Sequence, residues 1–190
     1  MNVLVGYATA HGSTREIAER IATRLQEREL RVVLQPMEET GDVRSYGALV
    51  LGSAIHDQAW LPEAIDFLRR GKKQIAARPT CLFSVGMSDA LPGAIRARAK
   101  QDQDARLRAG LAPLVDTSRH RLFSGVAQAT HFPLAGRLRF KAMGGRYGDY
   151  RNWPEIDAWA AEIADQLAVI SGAPPPIGDE TPESAALLSA

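Results

Sequence analysis

The chain is predicted to fold as a three-layer, doubly wound α/β domain on a five-stranded parallel sheet of order 2-1-3-4-5. Two observations predict it. Short apolar, β-rich runs alternate along the 190 residues with amphipathic helical patterns, as in successive βαβ units. Two of those runs, 47–52 and 80–85, are apolar without alternation, as in strands covered on both faces. Strands alternating with helices imply a parallel sheet covered on both faces, and five strands with five or fewer helices fit this order.

The elements follow in turn. Residues 2–7 read as the first strand, and 14–29 as a helix with Ile17, Ala18, Ile21, Ala22 and Leu25 on one face. The second strand spans 30–34 and is stopped by Pro36. The third is 47–52, followed by a short helix over 62–70 with Pro62 in its first turn. The fourth strand is 80–85. A helix over 94–114 places Leu107, Leu111 and Leu114 inward, and the fifth strand spans 121–127. Residues 128–150 read as irregular and basic, with a short helix around 134–143. The last helix, 153–170, carries Ile156, Trp159, Ala160, Ile163, Leu167 and Ile170 on one face. Residues 1–172 therefore make one domain. Residues 173–190, opening with Pro174-Pro175-Pro176, are expected to be a disordered tail.

Composition narrows the function classes. Apolar residues make up 45% and charged residues 24%, ordinary values for a globular domain. No apolar run approaches the roughly 20 residues that span a bilayer. The chain enters its first strand without leader features, so a cytoplasmic protein is expected. The single cysteine, Cys81, excludes an intramolecular disulfide and reads as a core residue. No His/Cys cluster has metal spacing. The net charge of +1 hides a basic stretch, with twelve Lys/Arg against four Asp/Glu over 91–151, inside an otherwise acidic chain. That pattern suits an anionic small molecule or surface. The stretch has few interleaved aromatics, so nucleic acid is not expected.

The chemistry concentrates in Thr9, Ala10, His11, Gly12, Ser13 and Thr14, between the first strand and the first helix. A helix start offers unpaired N–H groups and a positive dipole end, and the hydroxyls add donors for a phosphate. The loop lacks the lysine of a G-x-x-x-x-G-K-S/T loop and is not G-x-G-x-x-G, which argues against nucleoside triphosphates and dinucleotides. A bland alternative is a capping box, with Ser13 as N-cap and Glu16 three residues on. Strand order supplies an independent pointer. In such sheets ligands sit beyond the strand C-termini at the switch point, which selects loops 8–14, 52–60 and 84–93. Gly52 and Ser53 would let a flat ligand approach backbone, with Ala54 beside them. Ile55, His56 and Trp60 would cover a ring, although Trp60 could equally pack beneath the helix at 62–70. Ser84, Val85, Gly86 and Met87 would face its polar edge. The pocket so described takes a phosphate at one end and a planar heterocycle at the other.

Thr9-x-x-Gly12-x-Thr14 resembles the FMN phosphate loop of flavodoxins. Thr14-Arg15-Glu16-Ile17-Ala18, Gly52-Ser53-Ala54-Ile55, Phe83-Ser84-Val85 and Met143-Gly144-Gly145 further resemble the menaquinone-dependent protoporphyrinogen IX dehydrogenases. So do Trp153 and the helix containing Ala160 and Ile163. The resemblance implies a flavodoxin-like fold with non-covalent FMN, its phosphate at 9–14 and its isoalloxazine between loops 52–60 and 84–87. It also implies quinone-coupled oxidation of a porphyrinogen, with Arg137, Arg139, Lys141 and Arg146 meeting porphyrin carboxylates. Here the segment at 131–150 is shorter and less apolar than that family's, and His11 stands where short electron-carrier flavodoxins have threonine. No general acid or base is assigned. An electron carrier, a quinone reductase or a non-catalytic binding module are the rival readings. Peripheral contact with the inner face of the membrane and homodimerisation both stay open.

Overall fold

The computed structural model describes residues 1–172; the expected tail lies outside the described residues. The strands β1 (Asn2–Ala8), β2 (Arg31–Pro36), β3 (Ala48–His56), β5 (Thr80–Gly86) and β6 (His120–Ser124) form a parallel sheet of order β2-β1-β3-β5-β6. This is the predicted 2-1-3-4-5 order. One short strand, β4 (Ala59–Trp60), pairs antiparallel with the end of β3 through Ile55–Trp60 and His56–Ala59. The helices are α1 (Ser13–Glu27), α2 (Pro62–Ala76), α3 (Gly93–Leu111), α4 (Leu134–Ala142) and α5 (Trp153–Ser171). A two-stranded antiparallel ribbon joins β7 (Val126–Ala127) to β8 (Gly148–Asp149).

The pleat of β1 explains the three layers. Val3, Val5 and Tyr7 face α1 and α5, where they meet Ile17, Ile21, Leu25, Ile156, Trp159 and Ile163. Leu4 and Ala8 face the other way, with Leu49, Leu51 and Leu82, onto Phe67 and Leu68 of α2 and Leu107 and Leu111 of α3. Both faces of β1, β3 and β5 are thus dry, which is why their sequences read as unbroken apolar runs. Cys81 is buried in the first of these clusters, as expected.

Three sequence expectations need correction here. The fifth strand, expected over 121–127, breaks after Ser124: β6 stays in the sheet, and Val126–Ala127 pairs with β8 instead. The helix after β4 runs to Ala76 rather than ending near 70, because Ile75 is buried and packs over Gly71. Residues 128–150 keep the expected short helix, as α4, but are not otherwise irregular. They hold a 3-10 turn at Ala129–His131, α4 and β8, clamped by a third cluster in which Phe132, Phe140 and Tyr147 stack at 5.1 and 5.3 Å. Alternation cannot reveal this segment, since its order comes from three aromatic rings and not from a period.

Candidate functional site at the strand C-termini

The first β-α junction is built around Gly12. It caps α1 with φ +93°, a left-handed conformation that costs a residue with a Cβ. The capping box is therefore absent: Gly12, not Ser13, is the N-cap, and no side chain caps the helix. The loop is braced by the Gly12 N–H donating to Thr9 Oγ1 at 3.0 Å and by the Glu16 N–H donating to the Gly12 carbonyl at 3.1 Å. Glu16 instead pairs through its carboxylate with Arg151. Thr14 is wholly buried, and its hydroxyl has no hydrogen-bond partner. A buried, unsatisfied hydroxyl is costly unless something completes it. Together with the open first turn of α1, it marks a place that an anion would complete.

Two cavities meet at this loop. One, of about 610 Å³, is walled by Ala10, His11 and Ser13, by Ala54, Ile55 and His56 of β3, by Val85, Gly86 and Met87, by Gln103 of α3, and by Phe132, Phe140 and Met143 of the α4 segment. The other, of about 670 Å³, lies between the loop, β7 and β8, and takes in Glu16, Gln128, Tyr147, Asp149 and Arg151. The two share His11, Ser13, Val126 and His131. The rings of His11 and His131 stack face to face between them, with centroids 4.0 Å apart and planes 4° from parallel. Burial, and then the like charge of His11, push His131 below the usual histidine range, against an opposing pull from the Val126 backbone.

Of the residues expected to bind, Ala10, His11, Ser13, Ala54, Ile55, His56, Val85, Gly86 and Met87 line the 610 Å³ cavity. Thr9, Gly12 and Thr14 line neither cavity and belong to the junction that carries Ala10 into one of them and His11 and Ser13 into both. Ser53, Ser84 and Trp60 do not line it. Trp60 is folded inward: its indole N–H donates to Ser84 Oγ at 2.7 Å, while Ser53 Oγ accepts from the Leu61 N–H at 3.1 Å. Both serines are fully buried. Gly52 also serves the core. A Cβ there would land in the ring of Phe83, so the glycine admits an aromatic side chain and not a ligand. Arg137, Arg139, Lys141 and Arg146 line neither cavity; all four are exposed on and just after α4.

Sequence reading missed a buried polar chain beneath the site. Ser84 Oγ accepts from the Trp60 indole N–H and lies 2.7 Å from His120 Nε2; with His120 neutral and its ring proton on Nδ1 toward Asp104, Ser84 is the donor of that bond. His120 Nδ1 donates to Asp104 Oδ1 at 2.8 Å. Arg108 holds Asp104 Oδ2 at 2.7 Å and the His120 carbonyl at 2.8 Å. Burial pushes His120 below the usual histidine range despite Asp104. The spacing is that of a nucleophile, base and orienting acid, but Ser84 is fully buried and its hydroxyl is fully used. The chain ties β4, β5, β6 and α3 together. The three residues lie far apart in sequence, and only the sheet order makes them neighbours. Among the described residues no group of His, Cys, Asp or Glu is arranged to hold a metal ion, and no helix is long and apolar enough to cross a membrane.

A family model described as a flavodoxin domain matches residues 4–143. No curated protein matches the chain. Several solved structures share the fold at low identity. A short-chain flavodoxin associated with a bacterial microcompartment is 14% identical, with a TM-score of 0.58 over 90% of this chain and 99% of that one. Oxidised flavodoxin 1 from Bacillus cereus is 12% identical, with a TM-score of 0.53 over 88% and 99%. Rubredoxin oxygen:oxidoreductase from Desulfovibrio gigas is 15% identical, with a TM-score of 0.56, and this chain spans 37% of its length. The flavodoxin domain implies FMN, and the junction fits it. The unpartnered Thr14 hydroxyl, the left-handed Gly12 and the open first turn of α1 are donors and space for a phosphate, beside a cavity of suitable size for a flat ring system.

Proposed function

The chain belongs to the flavodoxin-domain family, and from that premise we propose that it is an FMN-dependent dehydrogenase that passes electrons from a porphyrinogen-like substrate to a quinone. Thr9, Gly12, Ser13 and Thr14 would hold the FMN phosphate, with neutral donors and a helix start in place of a lysine. Ala54, Ile55, Val85, Gly86 and Met87 would hold the ring system. When bound, FMN supplies two-electron acceptance from a reduced substrate and release to an acceptor. The protein's own residues supply position and exclusion of water: Phe132, Phe140 and Met143 roof the cavity with apolar groups.

The observation that carries the finer reading is the outer face of that roof. Leu134 and Leu138 are 72% and 66% exposed on α4, and Arg137, Arg139, Lys141 and Arg146 surround them. No acidic residue occurs between 125 and 148. A redox cavity roofed by a basic, leucine-bearing helix suits an apolar substrate edged with carboxylates and an acceptor dissolved in an anionic bilayer. The four cations would act at the mouth and the membrane surface, not inside the cavity.

The test is turnover of flavin-loaded protein with protoporphyrinogen and a menaquinone analogue, followed by porphyrin fluorescence. Quinone-dependent appearance of porphyrin supports the reading. Flavin that cycles with other donors but leaves protoporphyrinogen untouched would reduce it to an electron carrier or a reductase of another substrate.

A further inference from the structure

The phosphate site is short of positive charge. Among the described residues that line the two cavities, the single Lys or Arg is Arg151, and both Glu16 and Asp149 pair with it. Arg15 is engaged by Glu19, and Arg20 and Arg24 by Asp157. The other titratable groups lining the cavities on either side of the His11–His131 stack are Glu16, Tyr147, Asp149 and Arg151 in one and His56 and Asp57 in the other. None of these offers a free permanent cation to a phosphate dianion. The two stacked imidazoles, one of them inside the loop itself, are the remaining source.

We propose that the His11–His131 stack is a proton-coupled anion contact: when the FMN phosphate enters the loop, the pair takes up one proton from solvent. The inference rests on the placement of the phosphate at residues 9–14. Its physical basis is a difference between two states. Without the anion, the stack lies beside the positive end of α1, and at 4.0 Å a cation on one ring repels a cation on the other. The low proton affinity of His131 agrees with this. With the dianion in place, one imidazolium is stabilised by direct charge pairing, while a second stays excluded by the first. The proton balance is simple. One neutral imidazole plus one solvent proton gives one imidazolium, and the FMN phosphate stays doubly charged. Because the bound state holds the extra proton, affinity must fall as pH rises through the pair's bound-state pKa.

The experiment is calorimetric titration of apo-protein with FMN at pH 7.5, in phosphate-free buffers of different ionisation enthalpy, with riboflavin as the probe lacking phosphate. At that pH free FMN is already the dianion, since a phosphate monoester's second pKa is about 6, so its own ionisation supplies no uptake. We expect net uptake of about half to one proton per FMN, none with riboflavin, and an FMN Kd that weakens by about tenfold between pH 6.5 and 8.5. The double variant His11→Gln/His131→Gln should still bind FMN, more weakly, with no proton uptake and a flat pH profile. FMN binding without uptake in the natural chain, or equal uptake in the double variant, would overturn the inference and leave the cofactor site standing. Failure of FMN to bind at all would remove the site and the inference together. The comparison of FMN with riboflavin needs no variant, so a misfolded double variant would not protect the proposal.

Discussion

The two sides of the cavity are built in different ways. The β1–α1 junction rises from a strand paired on both edges, with six register partners in β2 and six in β3, and residues 3–8 are buried. The α4 segment opposite rests on three buried residues, Ala90, Ala127 and Phe140, and turns Leu134 and Leu138 to solvent. The junction therefore shares the global stability of the sheet. The segment's small separate cluster predicts that it opens while the sheet stays intact. The loop side of the cavity is therefore expected to hold its shape when the α4 side opens.

That contrast is open to direct attack. The largest effect is expected from Gly52→Ala, which drives a methyl group into the Phe83 ring at the centre of the sheet. A loss of about 3 kcal/mol in global stability should appear in urea unfolding followed by far-UV circular dichroism. Phe140→Ala empties the centre of the roof cluster. Its cost should appear locally, as faster tryptic cleavage at Arg137, Arg139 or Lys141, with less than half the shift in urea midpoint that Gly52→Ala gives. Equal shifts from the two substitutions would mean that roof and sheet unfold together, and the contrast would fail.

Smaller effects sharpen the picture at the junction. Thr14→Val removes a hydroxyl that nothing in the protein satisfies. It should leave apo-protein stability unchanged or slightly higher, yet weaken FMN binding about tenfold in a fluorescence titration, the worth of one good hydrogen bond. A matched loss of stability and affinity would show that the hydroxyl serves the fold instead. Gly12→Ala should cost about 1 kcal/mol of stability, because alanine resists the φ of +93°.

The pH dependence comes last. His120 is held neutral in the folded protein by burial, so its folded pKa lies below the unfolded value of about 6.5. The unfolded chain then binds more protons as pH falls, and stability present above about pH 6.5 is lost progressively below it. His131 contributes with the same sign. His120→Gln should flatten this part of the profile, at a lower overall stability, in thermal unfolding measured from pH 8 to pH 5.

Much of the fold was legible because a parallel sheet writes itself into the chain. Strands covered on both faces must be apolar throughout, and amphipathic helices must repeat every three to four residues. The open helix start after β1 was legible for a similar reason. Thr9, Gly12 and Thr14 lie within six residues of one another, on a junction whose geometry is local. The ring end was only partly legible. Ser53, Ser84 and Trp60 sit in the predicted loops, but the hairpin of β3 and β4 turns Trp60 into the core and consumes both hydroxyls. The loop composition is the same whichever way the indole points.

By itself, the sequence determined the alternation of strands and helices, the open helix start after β1 and the basic character of the segment before α5. These follow from local periodicity and residue chemistry. Only the tertiary structure decided that Gly52 makes room for Phe83, that Asp104, His120, Ser84 and Trp60 form one buried chain, and that His11 meets His131 across 120 positions of sequence. Those contacts are fixed by sheet order and by competition for buried space, and neither has a period that a linear chain can display.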